Sequence, residues 1–267
     1  MKIITLIENL VNSGGLVAEH GLSLYVETNN QKILFDTGQT GLFLQNALEL
    51  GISIEDVDAL VLSHGHYDHA GGLYPFLKAN SKAKVYAKRS VFTPKYSNKT
   101  RFIGTPINNE LLKDRLFYID EITELAEGVF VMPNIPVHHP VDTHFKGLFK
   151  KVNEEFIEDE FDDELFMVLK ERNKINIITA CSHRGITNIC EAATDHFNLR
   201  VGLILGGFHI KDCTCEQYMH ITNYLQQLQP KSIGLCHCTG IEKFADLYRE
   251  CDSHVFYNFT GNVIDLH

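Results

Sequence analysis

The chain has no basic excess. Its 24 lysines and arginines stand against 34 aspartates and glutamates, for a formal charge of −10 and a pI of about 5.7. Nonspecific nucleic-acid binding needs basic surface to neutralise phosphates, and no basic, aromatic-interleaved stretch is present, so a nucleic-acid partner is not expected. A local basic pocket for one small anion stays open. There is no apolar run of about 18 residues, so no membrane span is expected. The opening Met-Lys-Ile-Ile-Thr-Leu-Ile-Glu-Asn-Leu lacks a long apolar core and a small-residue cleavage site, so it reads as a first strand rather than a signal peptide. Repeats and low-complexity segments are also missing. The seven cysteines are an odd number and argue against a disulfide framework. The expectation is a cytoplasmic protein acting on a small, anionic molecule.

What is present is enough apolar residue, 44%, for a sizeable core. Residues 2–8 and 22–28 are apolar and β-branched, and 31–35 follow an Asn29-Asn30 turn, which suggests a hairpin. Residues 41–50 carry one apolar helical face, stopped by Gly51. A short strand at 57–62, a helix near 72–80 and a strand at 84–87 follow. Residues 93–110 read as loop. Strands are expected at 164–170, 174–180, 201–205 and 232–236, with helices at 185–197, 214–229 and 240–250. Strands followed by helices in two runs suggest two packed sheets with helices outside. One domain over 1–267 is expected, with a loop-rich insertion at about 137–163. The acidic run Glu154 to Glu164 in it reads as a solvated face, with a lid over a site as the alternative.

Histidine is over-represented, with 14 in the chain. Ser-His-Gly-His-Tyr-Asp-His-Ala-Gly-Gly-Leu at 63–73 puts His64, His66, Asp68 and His69 directly after the strand at 57–62. Irregular backbone lets such neighbouring side chains converge. Imidazole nitrogen with carboxylate oxygen suits zinc, iron or manganese. His64 and His66 can address one ion, and Asp68 and His69 a second.

His-Gly-His-Tyr-Asp-His matches the H-x-H-x-D-H signature of the metallo-β-lactamase superfamily, and the resemblance runs over nearly the whole chain. It implies an α/β fold, a four-layer αββα sandwich, with the site at one edge of the two sheets. Leu34-Phe35-Asp36-Thr37-Gly38 resembles the first motif, whose aspartate supports the metal-binding loop from behind. Cys181-Ser182-His183 and Cys236-His237-Cys238-Thr239-Gly240 follow strands where further histidine ligands are implied. The implied ligands are His64, His66 and His183 on one metal and Asp68, His69 and His237 on the other.

The stretches 18–24, 180–189, Gly206-Gly207-Phe208-His209 and 236–240 resemble a subgroup labelled as related to 7,8-dihydropterin-6-methyl-4-(β-D-ribofuranosyl)aminobenzene-5'-phosphate synthase. That label implies a phosphorylated, pterin-like substrate. One departure stands out. The superfamily's metal-bridging aspartate is absent where 201–205 runs into Gly206, and His209 occupies that region as a ligand or substrate contact. Imidazole cannot bridge two ions as carboxylate does.

The implied cofactor is one or two divalent ions, zinc first, with iron or manganese as alternatives. The implied enzyme is a hydrolase of a small-molecule ester, amide or phosphoester that uses metal-bound hydroxide, with Asp68 and His209 as catalytic groups. A pterin-precursor synthase, an iron-dependent oxidoreductase and a metal-dependent ligand-binding protein are the alternatives. Glu19 and His20 either approach the pocket or sit on the surface. His138, His139 and His144 either line its mouth or are exposed loop residues. Lys146, Lys150, Lys151, Arg101 and Arg184 are the candidate anion contacts. Cys213-x-Cys215 and Cys236-x-Cys238 are spaced too closely for the usual structural zinc site, so buried thiols are expected there.

Overall fold

The computed structural model describes residues 1–266. They gather into two compact units: Met1–Asp120 with Lys146–Asp163 and Phe259 onward, and Glu121–Phe145 with Glu164–Asn258.

The first unit carries a seven-stranded sheet in the order Val263–Asp265, Lys2–Ile7, Ser23–Glu27, Lys32–Phe35, Ala59–Val61, Lys84–Ala87, Leu116–Tyr118. The pairing is antiparallel up to Lys32–Phe35 and parallel after it. The hairpin at Asn29-Asn30 closes as expected, with Thr28 Oγ1 donating to the Gln31 carbonyl and accepting from the Gln31 amide. Leu6, Leu34, Leu60 and Val85 are fully buried. They pack with Phe43 and Ala47 of the helix Leu42–Glu49 and with Leu73 and Phe76 of the helix Leu73–Ala79.

The parallel strands Lys32–Phe35 and Ala59–Val61 lie side by side. Their carboxyl ends therefore deliver Asp36 and the Ser63–His69 turn to the same sheet edge. Loops at such strand ends are where open α/β sheets hold ligands.

Residues 93–110 and 146–163 depart from the expected loops. Leu148–Val152 and Glu155–Glu158 form a hairpin in a four-stranded sheet with Lys95–Ser97 and Arg101–Phe102. Tyr96 sits edge-on to Phe156 and Phe102, at 5.1 and 5.4 Å between ring centroids. The acidic stretch does not lie in solvent throughout, because Asp159, Phe161 and Asp163 are buried. Charge density hid this, since the hairpin's aromatic anchors are spread over two distant segments.

The second unit has its own seven-stranded sheet, in the order His254–Tyr257, Ser232–Leu235, Arg200–Gly206, Lys174–Ile178, Phe166–Lys170, Val129–Met132, Thr123–Ala126. The first four are parallel neighbours and the rest antiparallel. Ile177, Ile204 and Ile233 are fully buried. They pack with Ile189 and Ala193 of the helix Ile186–Phe197 and with Ile221 and Leu225 of the helix Cys215–Leu228. Three adjacent parallel strands end at Cys181–His183, Gly207–His209 and Cys236–His237, so the fold delivers three donor-bearing turns to one edge. A further helix, Ile241–Glu250, follows the last of them.

Candidate metal centre

In the first unit the site is built outward from Asp36. It is fully buried and holds a left-handed φ of 60° at the end of its strand. Its Oδ1 accepts from the Ser63 amide at 2.8 Å, and its Oδ2 accepts from the Ser63 hydroxyl at 2.6 Å. Oδ2 also lies 2.7 Å from His69 Nδ1. With the hydroxyl proton committed to Asp36, Ser63 Oγ accepts from His64 Nδ1 at 2.8 Å. One carboxylate, directly and through Ser63, thus keeps the proton of two imidazoles on Nδ1 and leaves the lone pair of each on Nε2. That is the orienting arrangement found behind metal-bound histidines.

The rings converge. His64 lies 4.7 Å from His66 and 4.4 Å from His69 between centroids, and His69 Nε2 is 3.9 Å from Asp68 Oδ2. Burial, reinforced by His69 and His66, holds His64 well below the usual histidine pKa. It is therefore the neutral form that can ligate. The turn is pinned behind as well, because the His69 carbonyl accepts from the Thr37 amide at 2.7 Å and from its hydroxyl at 2.9 Å.

A second brace comes from the acidic segment. Gly65, between the two histidines, donates its amide to Asp163 Oδ2 at 2.7 Å. Asp163 Oδ1 accepts from Lys95 Nζ at 3.0 Å, and Lys95 also donates to Asp159. All three side chains are at most 1% exposed. Burial alone would lower the Lys95 pKa, but the two aspartates raise it and keep it charged. Phe161 meets the His66 ring edge-on at 5.3 Å, and Lys95 lies 5.1 Å above the Phe161 ring. Gly65 is needed here, since a Cβ would come within 1.9 Å of the Val91 carbonyl oxygen.

In the second unit the donors stand on three turns. Ser182, His209 and His237 all hold left-handed φ, at 58°, 51° and 51°. Non-glycine residues adopt this region rarely, and it clusters at functional sites. Glu164 is fully buried and receives the His183 amide on one oxygen and the Arg184 amide on the other, each at 2.7 Å. Ser182 Oγ donates to the Gly207 carbonyl at 2.8 Å, and the Phe208 amide donates to Thr239 Oγ1 at 3.0 Å, so the three turns are tied together.

Cys181, His183 and His209 offer ligand atoms within 4.8 Å of one another, and so do Cys181, His237 and Cys238. The His183 and His209 rings are 4.4 Å apart. Burial pushes the Cys238 thiol up, but a side-chain hydrogen bond with Cys181 and the neighbouring His237 and His209 together hold it well below the ordinary range.

The remaining candidates separate by position. Asp68 Oδ2 lies 3.3 Å from His20 Nε2. Glu19 instead accepts from the Gln39 and Thr40 amides and the Thr40 hydroxyl, a loop support. His144 is half-buried, 5.0 Å from His209 between ring centroids and 2.7 Å from Gln217 Nε2. Burial, with His209, lowers its pKa to about 3. His138 is on the surface beside Glu191 at 2.7 Å, and His139 Nε2 is 3.7 Å from the same carboxylate. Lys150 pairs with Asp162, Lys151 with Glu154, and Arg184 donates to the Ile135 carbonyl. Arg101 donates to Tyr67 Oη at 2.8 Å, within the histidine motif itself.

Sequence reasoning passed over Cys181 and Glu164. Their signal was adjacency: Cys181 opens the Cys-Ser-His turn, and Glu164 ends the acidic run. It also passed over Lys95 and Asp163, for which no local signal exists.

Buried imidazoles, a carboxylate and a thiol are the donors of zinc and iron sites, and the rings of His64 and His69 are already oriented. The residues fit a divalent transition ion.

The comparisons agree. A model of the metallo-beta-lactamase superfamily matches residues 17–152. The structure of Tm1679, described as a metal-dependent hydrolase of the beta-lactamase superfamily, is 30% identical with a TM-score of 0.88. The match covers 100% of this chain and 99% of that one. An uncharacterised protein of Methanocaldococcus jannaschii is 32% identical over 93% of this chain and 94% of its own. From the same organism, the 7,8-dihydropterin-6-methyl-4-(beta-D-ribofuranosyl)-aminobenzene-5'-phosphate synthase is 27% identical over 91% of this chain and 88% of its own. The likeness to Tm1679 carries the αββα fold class expected from the motifs. With half its length matched by the family model and its whole length by a 30% identical structure, the chain belongs to the metallo-β-lactamase superfamily.

Proposed function

We propose that this metal-dependent hydrolase cleaves an ester, amide or phosphoester in a small anionic molecule, and that His64, His66 and His183 serve one ion while Asp68, His69 and His237 serve another. The observation that carries the reading is the Asp36–Ser63 relay. It sets two buried imidazoles in the tautomer that ligates through Nε2. When bound, a divalent ion supplies a Lewis acid and lowers the pKa of its water to about 7.

The protein's own groups do the rest. Asp68, buried beside the exposed His20, holds or accepts a proton. His209, with neutral His144 behind it, contacts the substrate. Arg101, fixed by Tyr67, attracts its anionic group. Zinc is the proposed native metal, because imidazole and thiol donors outnumber carboxylates around these turns. A phosphorylated pterin-like substrate is the narrower proposal, supported by the likeness to the Methanocaldococcus jannaschii synthase.

Metal analysis of freshly purified protein, followed by chelation and add-back, tests the reading. Hydrolysis of a phosphodiester or ester panel should vanish on chelation and return with zinc. Full turnover in the stripped protein, or turnover that requires redox cycling of bound iron, would refute it.

A further inference from the structure

The strand Arg200–Gly206 leads into Gly207-Phe208-His209 with no acidic residue, so the expected bridging carboxylate is missing. We propose that the thiolate of Cys181 takes its place, as a metal ligand shared by both cations. The inference rests on the metal-dependent reading above and adds a sulfur donor to it.

Cys181 is 2% exposed and opens the turn that follows the strand Lys174–Ile178. Its Sγ belongs to two donor sets of the same unit. One contains His183 and His209, the other His237 and Cys238, and within each set the ligand atoms lie within 4.8 Å of one another. His183 and His209 stand only in the first of these, and His237 and Cys238 only in the second. A donor common to two sets is where a bridging group belongs. Zinc–sulfur and zinc–nitrogen bonds of about 2.3 and 2.1 Å set two ligand atoms of a tetrahedral ion about 3.6 Å apart, so side-chain rotations of about an ångström bring each set onto one ion.

Sulfur can also do what His209 cannot. Imidazole offers one nitrogen lone pair in its plane, whereas a thiolate has several and can bind two cations at once. The thiolate carries the single negative charge that the absent aspartate would have carried. Its proton leaves to solvent when the metal binds. Cys238 differs from Cys181 in belonging to the second set alone, where its Sγ also donates to the Cys181 carbonyl at 3.7 Å. A shared thiolate also favours zinc or iron over manganese or magnesium.

The test uses the full chain, stripped with a chelator and titrated with Co(II), with absorbance and retained cobalt read together. A near-ultraviolet sulfur-to-cobalt charge-transfer band should grow with the visible d–d bands and saturate at two ions per chain. Cys181→Ser should abolish that band and drop retention to one ion. Cys238→Ser, which removes a donor of the second set alone, should keep the band and weaken only the hold on the second ion. Cys181→Asp, which restores a bridging carboxylate, should regain the second ion without the band, and it guards against a fold defect in the serine variant. Cobalt bound with d–d bands but no charge-transfer band would overturn the sulfur assignment and leave the metal hydrolase standing. A band lost in Cys238→Ser and kept in Cys181→Ser would overturn it equally. No cobalt uptake at all would overturn both.

Discussion

The two donor-bearing regions solve the same problem differently. In the first unit, three imidazoles and a carboxylate come from six consecutive positions, and the turn is held by buried carboxylates, Asp36 inside and Asp163 behind. In the second, donors come from three strand ends far apart in sequence. Their turns are held by left-handed backbone, by one carboxylate, Glu164, and by hydroxyl cross-ties. A contiguous motif must be braced from outside, because its own backbone has no sheet to hold it. Dispersed donors inherit their positions from the parallel strands beneath them.

Breaking the outer brace of the histidine loop therefore has the largest expected effect. Lys95→Met leaves two buried carboxylates facing each other, a loss of about 3–5 kcal/mol by the usual cost of breaking a buried pair. Urea unfolding of the chelated protein reads it without a metal contribution. Glu164→Gln keeps an acceptor for one amide and should cost about 1.5–3 kcal/mol. Equal or reversed losses would erase the asymmetry.

Asp36→Asn comes next. It cannot accept from Ser63 and His69 together with a full charge, so metal affinity should fall about 10–100-fold, measured by competition with a chromophoric chelator. An unchanged affinity would mean that the relay orients nothing.

How much of this was legible beforehand follows the same division. The motif from His64 to His69 and its following glycines could be read directly, because chemistry and sequence adjacency coincide there. The strands ending at Cys181 and Cys236 were visible as apolar runs, so the histidines placed after them followed. What stayed hidden was pairing across long gaps. Lys95 meets Asp159 and Asp163 across more than sixty positions. No local pattern separates a buried aspartate in an acidic run from its solvated neighbours. The strands Val263–Asp265 and His254–Tyr257 were likewise too short and mixed to declare themselves.

Asp142 sharpens the picture of the second unit. It is fully buried, accepts from the Thr187 amide and hydroxyl at 2.8 and 2.9 Å, and so caps the helix Ile186–Phe197. Burial raises its pKa from 3.8 to about 7. Below the unfolded value both states hold the proton and the contribution is whole. As pH rises toward 7 the unfolded chain releases the proton while the folded chain retains it, so stability falls across that window, by up to about 1.4 kcal/mol per pH unit. Asp142→Asn has no such proton to lose. The stability advantage of wild type over this variant should shrink between pH 4 and 7 and then level off. An advantage that grows with pH would contradict the assignment.

The smallest effect expected is at Arg101. Its guanidinium is exposed, so Arg101→Ala should raise KM a few-fold for an anionic phosphoester and leave a neutral ester unchanged, with kcat little altered. A matching rise for both substrates would remove it from substrate attraction.

The Asp163–Gly65 bond has one practical corollary. Anyone shortening this protein would see, between positions 153 and 163, a highly charged ribbon that invites deletion. Cutting it would withdraw the peg on which the histidine turn hangs, so the shortened chain would lose the shape of that turn while keeping every histidine in it.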